Sequence, residues 1–414
     1  MSAESAPDVV LISPYPRLGA RHDGSSGVAS YTANLAHALA DHGAKITVIA
    51  PRLDGEADRG RDGSVSIHRA FTDGTPAAVP AALSAAAATG APVAHLQHEL
   101  FLYSGAAGLP ATVAALAARR RPGARGKQRS VITMHQVVNP SAVTGDYTRM
   151  HRVRVPAPAA RAAIASVQQI LPRLSDRVLV HEPSFAEIIK TAEVVPHGIE
   201  LPATTNEDKR QIRRRLGIPG DGLMALCFGF LAPYKGLETT LEAARLLSTE
   251  PDHPVRMVIA GGDHPRLAAQ GDHYSERLQQ RWGAFATFTG YVPDEAVADW
   301  FEAADVLLLN YPEPHASSGP LALALAHRTP VLLSQRLADT VGADVDLAVG
   351  PRPEDWAERL SQLATEPEAL ERLGGHVERM TEDRAWPTVA RRHLEIYREI
   401  RHDDSPSAAD LALA

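Results

Sequence analysis

Cys227-Phe228-Gly229-Phe230-Leu231-Ala232-Pro233-Tyr234-Lys235-Gly236 joins an apolar run to a helical pattern. The run, Leu223–Phe228, has the length and composition of a buried strand and stops at Gly229. The segment Leu237–Leu247 that follows reads as a helix. A strand, a tight turn and a helix N-terminus with a lysine beside it suit a phosphate or diphosphate. Backbone N–H groups, the positive end of the helix dipole and an ammonium converge there. A plain strand–helix connection with a surface lysine has the same local pattern, so the choice falls to the rest of the chain.

The same alternation fills the chain on both sides. Short apolar runs occur at 9–12, 46–50, 93–96, 131–134 and 178–180, and again at 224–228, 255–260, 286–288, 306–309 and 331–333. Runs that are apolar on both faces predict parallel strands covered by helices. Residues 27–42 place Val28, Tyr31, Leu35 and Leu39 on one helical face, and Gly43 ends the pattern. The expected fold is α/β, with two Rossmann-like, doubly wound parallel-sheet domains. The polar stretch 199–208 divides them into 1–198 and 199–385. Residues 386–402 read as an amphipathic helix carrying Trp386, Val389, Leu394, Ile396 and Tyr397, either folded back on the first domain or closing the second. The Ser/Ala/Asp-rich residues 403–414 are expected to be a frayed tail. Ligands of such sheets bind beyond the carboxyl ends of the strands, so the site is expected in a cleft between two facing domains.

Composition narrows the function. The 414 residues are 44% hydrophobic and 22% charged, an ordinary soluble globular balance. A net charge of −7 argues against nucleic acid as the main partner. Cys227 is the only cysteine, so no intrachain disulfide forms and a reducing cytoplasm is the expected location. It lies in an apolar run and reads as core. Neither a signal peptide nor a membrane span is expected. Arg119, Arg120, Arg121, Arg125, Lys127 and Arg129 surround Pro122-Gly123. That basic segment, 119–129, reads as a solvated loop, or as a contact to an anionic membrane surface or a phosphorylated acceptor.

Candidate site residues gather at strand ends. His22-Asp23-Gly24-Ser25-Ser26-Gly27-Val28 opens the first helix without the full G-x-G-x-x-G fingerprint, and its glycines permit close backbone approach. His95-Leu96-Gln97-His98-Glu99 is not H-E-x-x-H. Strand alternation sends His95 and His98 to opposite faces, so zinc is rejected. His98 and Glu99 remain as strand-end polar groups, or as a plain hydrogen-bonded pair. His135 ends the next run. In the second half, Gly261-Gly262-Asp263 and Phe288-Thr289-Gly290-Tyr291-Val292 end strands. Glu313-Pro314-His315-Ala316-Ser317-Ser318-Gly319-Pro320-Leu321 leads into a small-residue helix, a second anion-friendly N-terminus. Two helix N-termini are thus expected to grip one diphosphate.

In order and spacing these residues resemble glycosyltransferase family 4, retaining nucleotide-sugar transferases of GT-B fold. The likeness covers nearly the whole chain. It includes the helix opened by Gly27-Val28, the hinge-like Pro196-His197-Gly198-Ile199, and Gly229-x-Leu231-x-x-x-Lys235-Gly236. Gly261-Gly262, Gly290-Tyr291-Val292 and Thr329-Pro330-Val331 continue it. Gln97-His98-Glu99-Leu100-Phe101 and Thr133-Met134-His135 look like a bacterial mannosyltransferase-like subgroup.

The resemblance implies a sugar moved from a GDP- or UDP-sugar to a hydroxyl acceptor, with retention and without a metal or other cofactor. It implies catalytic roles for His135, Lys235 and Glu313. It places the donor on Gly27, Gly229, Lys235, Gly262, Tyr291, Val292, His315, Ser317, Ser318, Gly319, Pro320 and Leu321, and the acceptor on Ser26, His98 and Glu99. Two departures stand out. Phe230 occupies the place of the family's usual arginine. His315 and Leu323 fall where two glutamates are usual, while Ser318-Gly319-Pro320-Leu321 resembles a subgroup that lacks the second of them and Glu313 is placed to stand in for the first. A non-catalytic GT-B scaffold protein, or a related phosphorylase or epimerase, is the alternative.

Overall fold

The structure is a computed structural model and describes residues 6–21, 26–100, 102–103, 105–120, 128–145, 148, 155–202, 207–249, 254–264, 268, 271–312 and 318–402. The chain forms two compact units, residues 1–198 with 386–414, and residues 199–385.

Eight strands make the sheet of the first unit. In chain order they are β1 (Val9–Ile12), β2 (Ile46–Pro51), β3 (Arg59–Asp62), β4 (Val65–Phe71), β5 (Val93–His98), β6 (Arg129–Met134), β7 (Arg177–Val180) and β8 (Ala192–Val194). Their spatial order is β3-β4-β2-β1-β5-β6-β7-β8. All neighbours run parallel except β3 and β4. The pleat divides each strand between two cores. Val10 and Ile12 join one cluster, Val9 and Leu11 the other, and all four are buried. That double burial is why the central strands read as unbroken apolar runs.

The expected parallel sheet carries one antiparallel strand at its edge. β3 is Arg-Gly-Arg-Asp, with no apolar run to announce it. It turns back through Gly63, whose φ of 60° lies in the left-handed region. This hairpin braces the loop after β1. The Arg69 guanidinium of β4, 1% exposed, donates to the carbonyls of Tyr15, Pro16 and Pro51. Glu56 neutralises it through a 2.7 Å hydrogen bond to Nε. Burying that ion is tolerable because every donor direction has an acceptor.

Helix Trp386–His402 lies in the first unit. Val389, Ala390, Ile396, Tyr397 and Ile400 are buried in one cluster with Tyr31, Leu35 and Leu39 of helix Gly27–Asp41. Residues 403–414 lie outside the described residues.

The second unit has six parallel strands: β9 (Leu223–Phe228), β10 (Val255–Ala260), β11 (Thr287–Gly290), β12 (Val306–Leu309), β13 (Val331–Ser334) and β14 (Ala348–Val349). Their order is β11-β10-β9-β12-β13-β14. The order reverses beside β9, which puts the carboxyl ends of β9 and β12 at a topological switch point. A single hydrophobic cluster from Ile199 to Val377 fills this unit. No helix among the described residues is long and apolar enough to cross a membrane.

Candidate functional site

In the second unit the carboxyl ends of β9, β10 and β11 are tied together by backbone alone. Gly229 N–H donates to Ala260 O (2.9 Å), and Leu231 N–H donates to Gly262 O (2.8 Å). Gly261 and Gly290 form an isolated bridge. A Cβ on Gly261 would lie 2.2 Å from Gly229 O, so only glycine fits. Gly229 itself has φ 97°, which again favours glycine.

Lys235 fills the space beside this turn. A Cβ on Gly229 would sit 2.9 Å from Lys235 Nζ and 3.6 Å from Pro320 Cγ. The lysine is 7% exposed, and its ammonium donates to Phe228 O (3.2 Å). Burial pushes its pKa down to about 8. The surface-lysine alternative is therefore excluded. Pro320, in the first turn of helix Gly319–Ala326, flanks the same Gly229 turn as the ammonium. Gly236, at the start of Leu237–Leu247, is packed against Asn310 O and Pro312 instead.

Gly319–Ala326 is capped by Ser318, whose Oγ accepts from Leu321 N–H (3.2 Å) and donates to Tyr311 OH (3.4 Å). Among the described residues, a Cβ on Gly319 would meet nothing within 4 Å. Leu321 and Val292 are buried and support the loops from below. Phe230 and Tyr291 are 43% and 64% exposed, with near-parallel rings 6.5 Å apart. Leu323 packs against the core of the unit. Glu313, His315 and Ser317 lie outside the described residues.

The first unit gathers histidines at the ends of β5, β6 and β7. His135 Nε2 is 2.9 Å from the Gln97 side-chain amide, and its Nδ1 is 3.1 Å from His181 Nε2. His181 Nδ1 donates to Val195 O (3.0 Å). The Tyr31 ring packs on His135, His181, His197 and Trp386, at centroid separations of 4.7, 5.1, 4.8 and 5.3 Å. Burial and the surrounding imidazoles hold the His135 pKa well below its ordinary value, so the ring is neutral.

His98 is on the other face of the sheet. It is 2% exposed, its pKa is pushed down to about 4 by burial, and its Nδ1 has no hydrogen-bond partner among the described residues. Glu99 is half-buried, with its pKa raised by burial. Ser26 caps helix Gly27–Asp41 by accepting from Val28 N–H (3.2 Å), and a Cβ on Gly27 would meet nothing within 4 Å among the described residues. Thus Lys235, Gly229, Gly262, Tyr291 and the Ser318–Leu321 turn come together in one unit, whereas His98 and His135 part across the sheet. Residues 22–25 and 121–127 lie outside the described residues. Arg119 donates to Gln128 (2.7 Å), and Arg120 pairs with Asp176 (3.3 Å).

His181 was missed by sequence reasoning. It ends the run at 178–180 just as His135 ends 131–134, and the same strand-end rule finds it. Asp344, Asp346 and His376 have metal-ligand spacing among the described residues, but Arg379 donates to His376 Nδ1 (2.8 Å). Asp344 and Asp346 each place a carboxylate oxygen 3.3 Å from a His376 ring nitrogen.

Comparison with known proteins agrees with this architecture. Residues 208–379 match the family model for glycosyl transferases group 1. A protein named D-inositol 3-phosphate glycosyltransferase from Kribbella flavida is 28% identical over 290 residues, covering 64% of this chain and 64% of the relative. The match thus spans less than two thirds of that relative's length. Sucrose-phosphate synthase from Thermosynechococcus elongatus is 18% identical, with a TM-score of 0.62 over 95% of this chain and 98% of its own. Anabaena HepE, solved in complex with UDP-glucose, is 14% identical, with a TM-score of 0.57 over 94% of this chain and 99% of its own. Residues 208–379 therefore carry a glycosyl transferases group 1 match, and two parallel-sheet α/β units with these structural neighbours give the chain the GT-B fold.

Proposed function

We propose that the protein is a retaining glycosyltransferase that moves a sugar from a nucleoside diphosphate to a hydroxyl acceptor. The observation that carries this is the Gly229 turn, which is flanked by a buried ammonium and by the first turn of helix Gly319–Ala326. Both are positive and held in place, as a site for a leaving diphosphate requires. Lys235 and the N–H groups around Gly319 would take up the charge that develops as the C1–O bond to phosphate breaks, with no metal needed. The acceptor oxygen would bond to C1 on the same face, and its proton would pass to the departing phosphate oxygen. His135 is assigned to the transferred sugar. Being neutral, it does not oppose the positive charge on the anomeric carbon.

The matched glycosyl transferases model, the relatives' name and a neighbour solved with UDP-glucose support this reading. The mannosyl donor rests on the subgroup resemblance alone. The relatives' name makes a polyol phosphate the first acceptor to assay. Phe230 in place of a cation favours one second reading, a non-catalytic partner protein. Thermal denaturation against UDP, GDP, ADP and dTDP and their sugar forms separates the two, because a ligand bound only by the folded state raises its apparent stability. A base-selective rise supports the transferase and names the donor base. No rise with any nucleotide overturns it.

A further inference from the structure

Where β2 and β4 enter the sheet, the first unit has a groove of about 910 Å³, a volume within the range of small-molecule sites. Lys45, Arg59, Arg61 and His68 line it, with the hydroxyls of Thr47 and Ser66. Ala85, Ala88 and Thr89, at the end of helix Ala78–Ala88, close one side. Among the described residues no carboxylate lines the groove, although the chain as a whole has a net charge of −7.

The strand register brings the cations together. Arg59 lies opposite His68 and Arg61 opposite Ser66, and Thr47 of β2 is level with Ser66. Paired positions share a face, so these five side chains stand on one side of the sheet. The nearby acids are engaged elsewhere. Asp62 falls on the opposite face, where it accepts from Tyr15 OH (2.8 Å) and pairs with His37 (3.1 Å). Glu56 is held by Arg69, Asp58 pairs with Arg52 (3.4 Å), and Asp8 accepts from Lys45 N–H (2.8 Å). The groove is therefore positive, and His68 registers it. Burial and then Arg59 hold its imidazole below its ordinary pKa, Arg52 adding to the effect and Asp58 opposing it.

Charges on an edge strand also keep it from pairing with another chain. That accounts for Arg59 and Arg61 on β3. It does not account for His68, Ser66 and Thr47, polar on the same face one and two strands further in. Nor does the groove suit a bilayer, since its large apolar residues, Ile46 and Ile67, are buried.

We propose that this groove binds a soluble phosphate monoester, with Arg59 and Arg61 on the phosphate and the Thr47 and Ser66 hydroxyls on its organic part. Arginine meets phosphate oxygens with paired donors. The inference goes beyond the transfer reaction. Ile46 is level with Val93 at the start of β5, whereas His135 follows Met134, which is level with His98 at its end. The groove is thus a strand length from His135, and Lys235 belongs to the other unit.

The test follows the ring signals of His68 in the full chain, assigned by their loss in His68→Gln. Its pKa is measured with and without inorganic phosphate or glycerol 3-phosphate, sodium chloride keeping the ionic strength equal. An anion on the arginines favours the imidazolium, so the pKa should rise by roughly half a unit or more and saturate with ligand in the millimolar range or below. Neutralising both arginines, as Arg59→Gln with Arg61→Gln, should raise the ligand-free pKa and weaken phosphate binding about tenfold or more. A rise no larger than chloride gives, or the same affinity in the double variant, overturns the site and leaves edge protection. A response to phosphatidylglycerol vesicles but not to glycerol 3-phosphate overturns the soluble ligand. Lys235→Met should leave the response intact, which keeps failure of this site distinct from failure of the diphosphate site. A response lost with Lys235 would assign the anion to the second unit and overturn the proposal.

Discussion

At the scale of single residues, Lys235 couples function to stability. Below about pH 8 its ammonium is charged in both the folded and the unfolded chain, and its burial is a standing cost. Between about 8 and its ordinary value of 10.5 only the unfolded chain keeps the proton, so this group's contribution to stability rises with pH across that window. A bound diphosphate favours the charged form. Nucleoside diphosphate affinity should therefore fall on the order of tenfold from pH 7 to pH 9 in the wild type, and stay flat in Lys235→Met. The same variant should melt higher without ligand, by about 1–2 kcal/mol of stability, because a buried charge is gone. Its turnover should fall by the equivalent of about 2–4 kcal/mol. Calorimetric titration at the two pH values checks the first part, and wild-type turnover in the variant would remove Lys235 from the diphosphate site.

Elements set what was legible in the sequence. The buried runs at 9–12, 224–228 and 306–309 announced parallel strands, because residues covered on both faces leave no alternation to misread. The hairpin of β3 and β4 was illegible, because its exposed edge is polar and its purpose, holding Arg69 under the loop after β1, is a tertiary one. The strand–turn–lysine pattern was legible, but the burial of Lys235 and the packing of Pro320 against the same Gly229 turn were not, because β12 and the loop after it bring that helix back from about 90 residues further along the chain. The two adjacent glycines at the end of β10 also look alike in sequence and differ in place. Gly261→Ala would drive a Cβ into Gly229 O at 2.2 Å, so both strand ends must move. It should cost more than about 2 kcal/mol and abolish the nucleotide-induced shift. Gly262→Ala would meet Tyr291 at its Cβ (3.3 Å) and at its backbone Cα and N (both 3.4 Å), which asks for a shift of only a few tenths of an ångström, and should cost about 1 kcal/mol. Urea midpoints at equal m-value compare them, and equal losses would contradict the strand-end packing described above.

For the whole chain, the order of residues and the order of cores do not coincide. The chain leaves the first unit at Gly198, builds the second, and comes back at Trp386. Trp386 is fitted to that crossing: a Cβ on Gly198 would lie 2.5 Å from its ring. The returning helix supplies Val389, Ile396, Tyr397 and Ile400 to the core it shares with Gly27–Asp41. At roughly 1.5–3 kcal/mol for each of these four side chains buried, it contributes on the order of 6–12 kcal/mol, which is comparable with the whole stability of a typical domain. Residues 1–198 alone should therefore fail to fold cooperatively, and adding 386–402 through a short linker should restore a cooperative melt. Residues 199–385 have a hydrophobic cluster of their own and carry Gly229, Lys235 and the Gly319 turn. That fragment should fold alone and keep the nucleotide-induced rise in melting temperature seen in the full chain. A well-folded 199–385 with no such rise would show that the diphosphate site needs residues from the first unit. A cooperative melt of 1–198 without the helix would mean that the shared core contributes far less than its buried area implies.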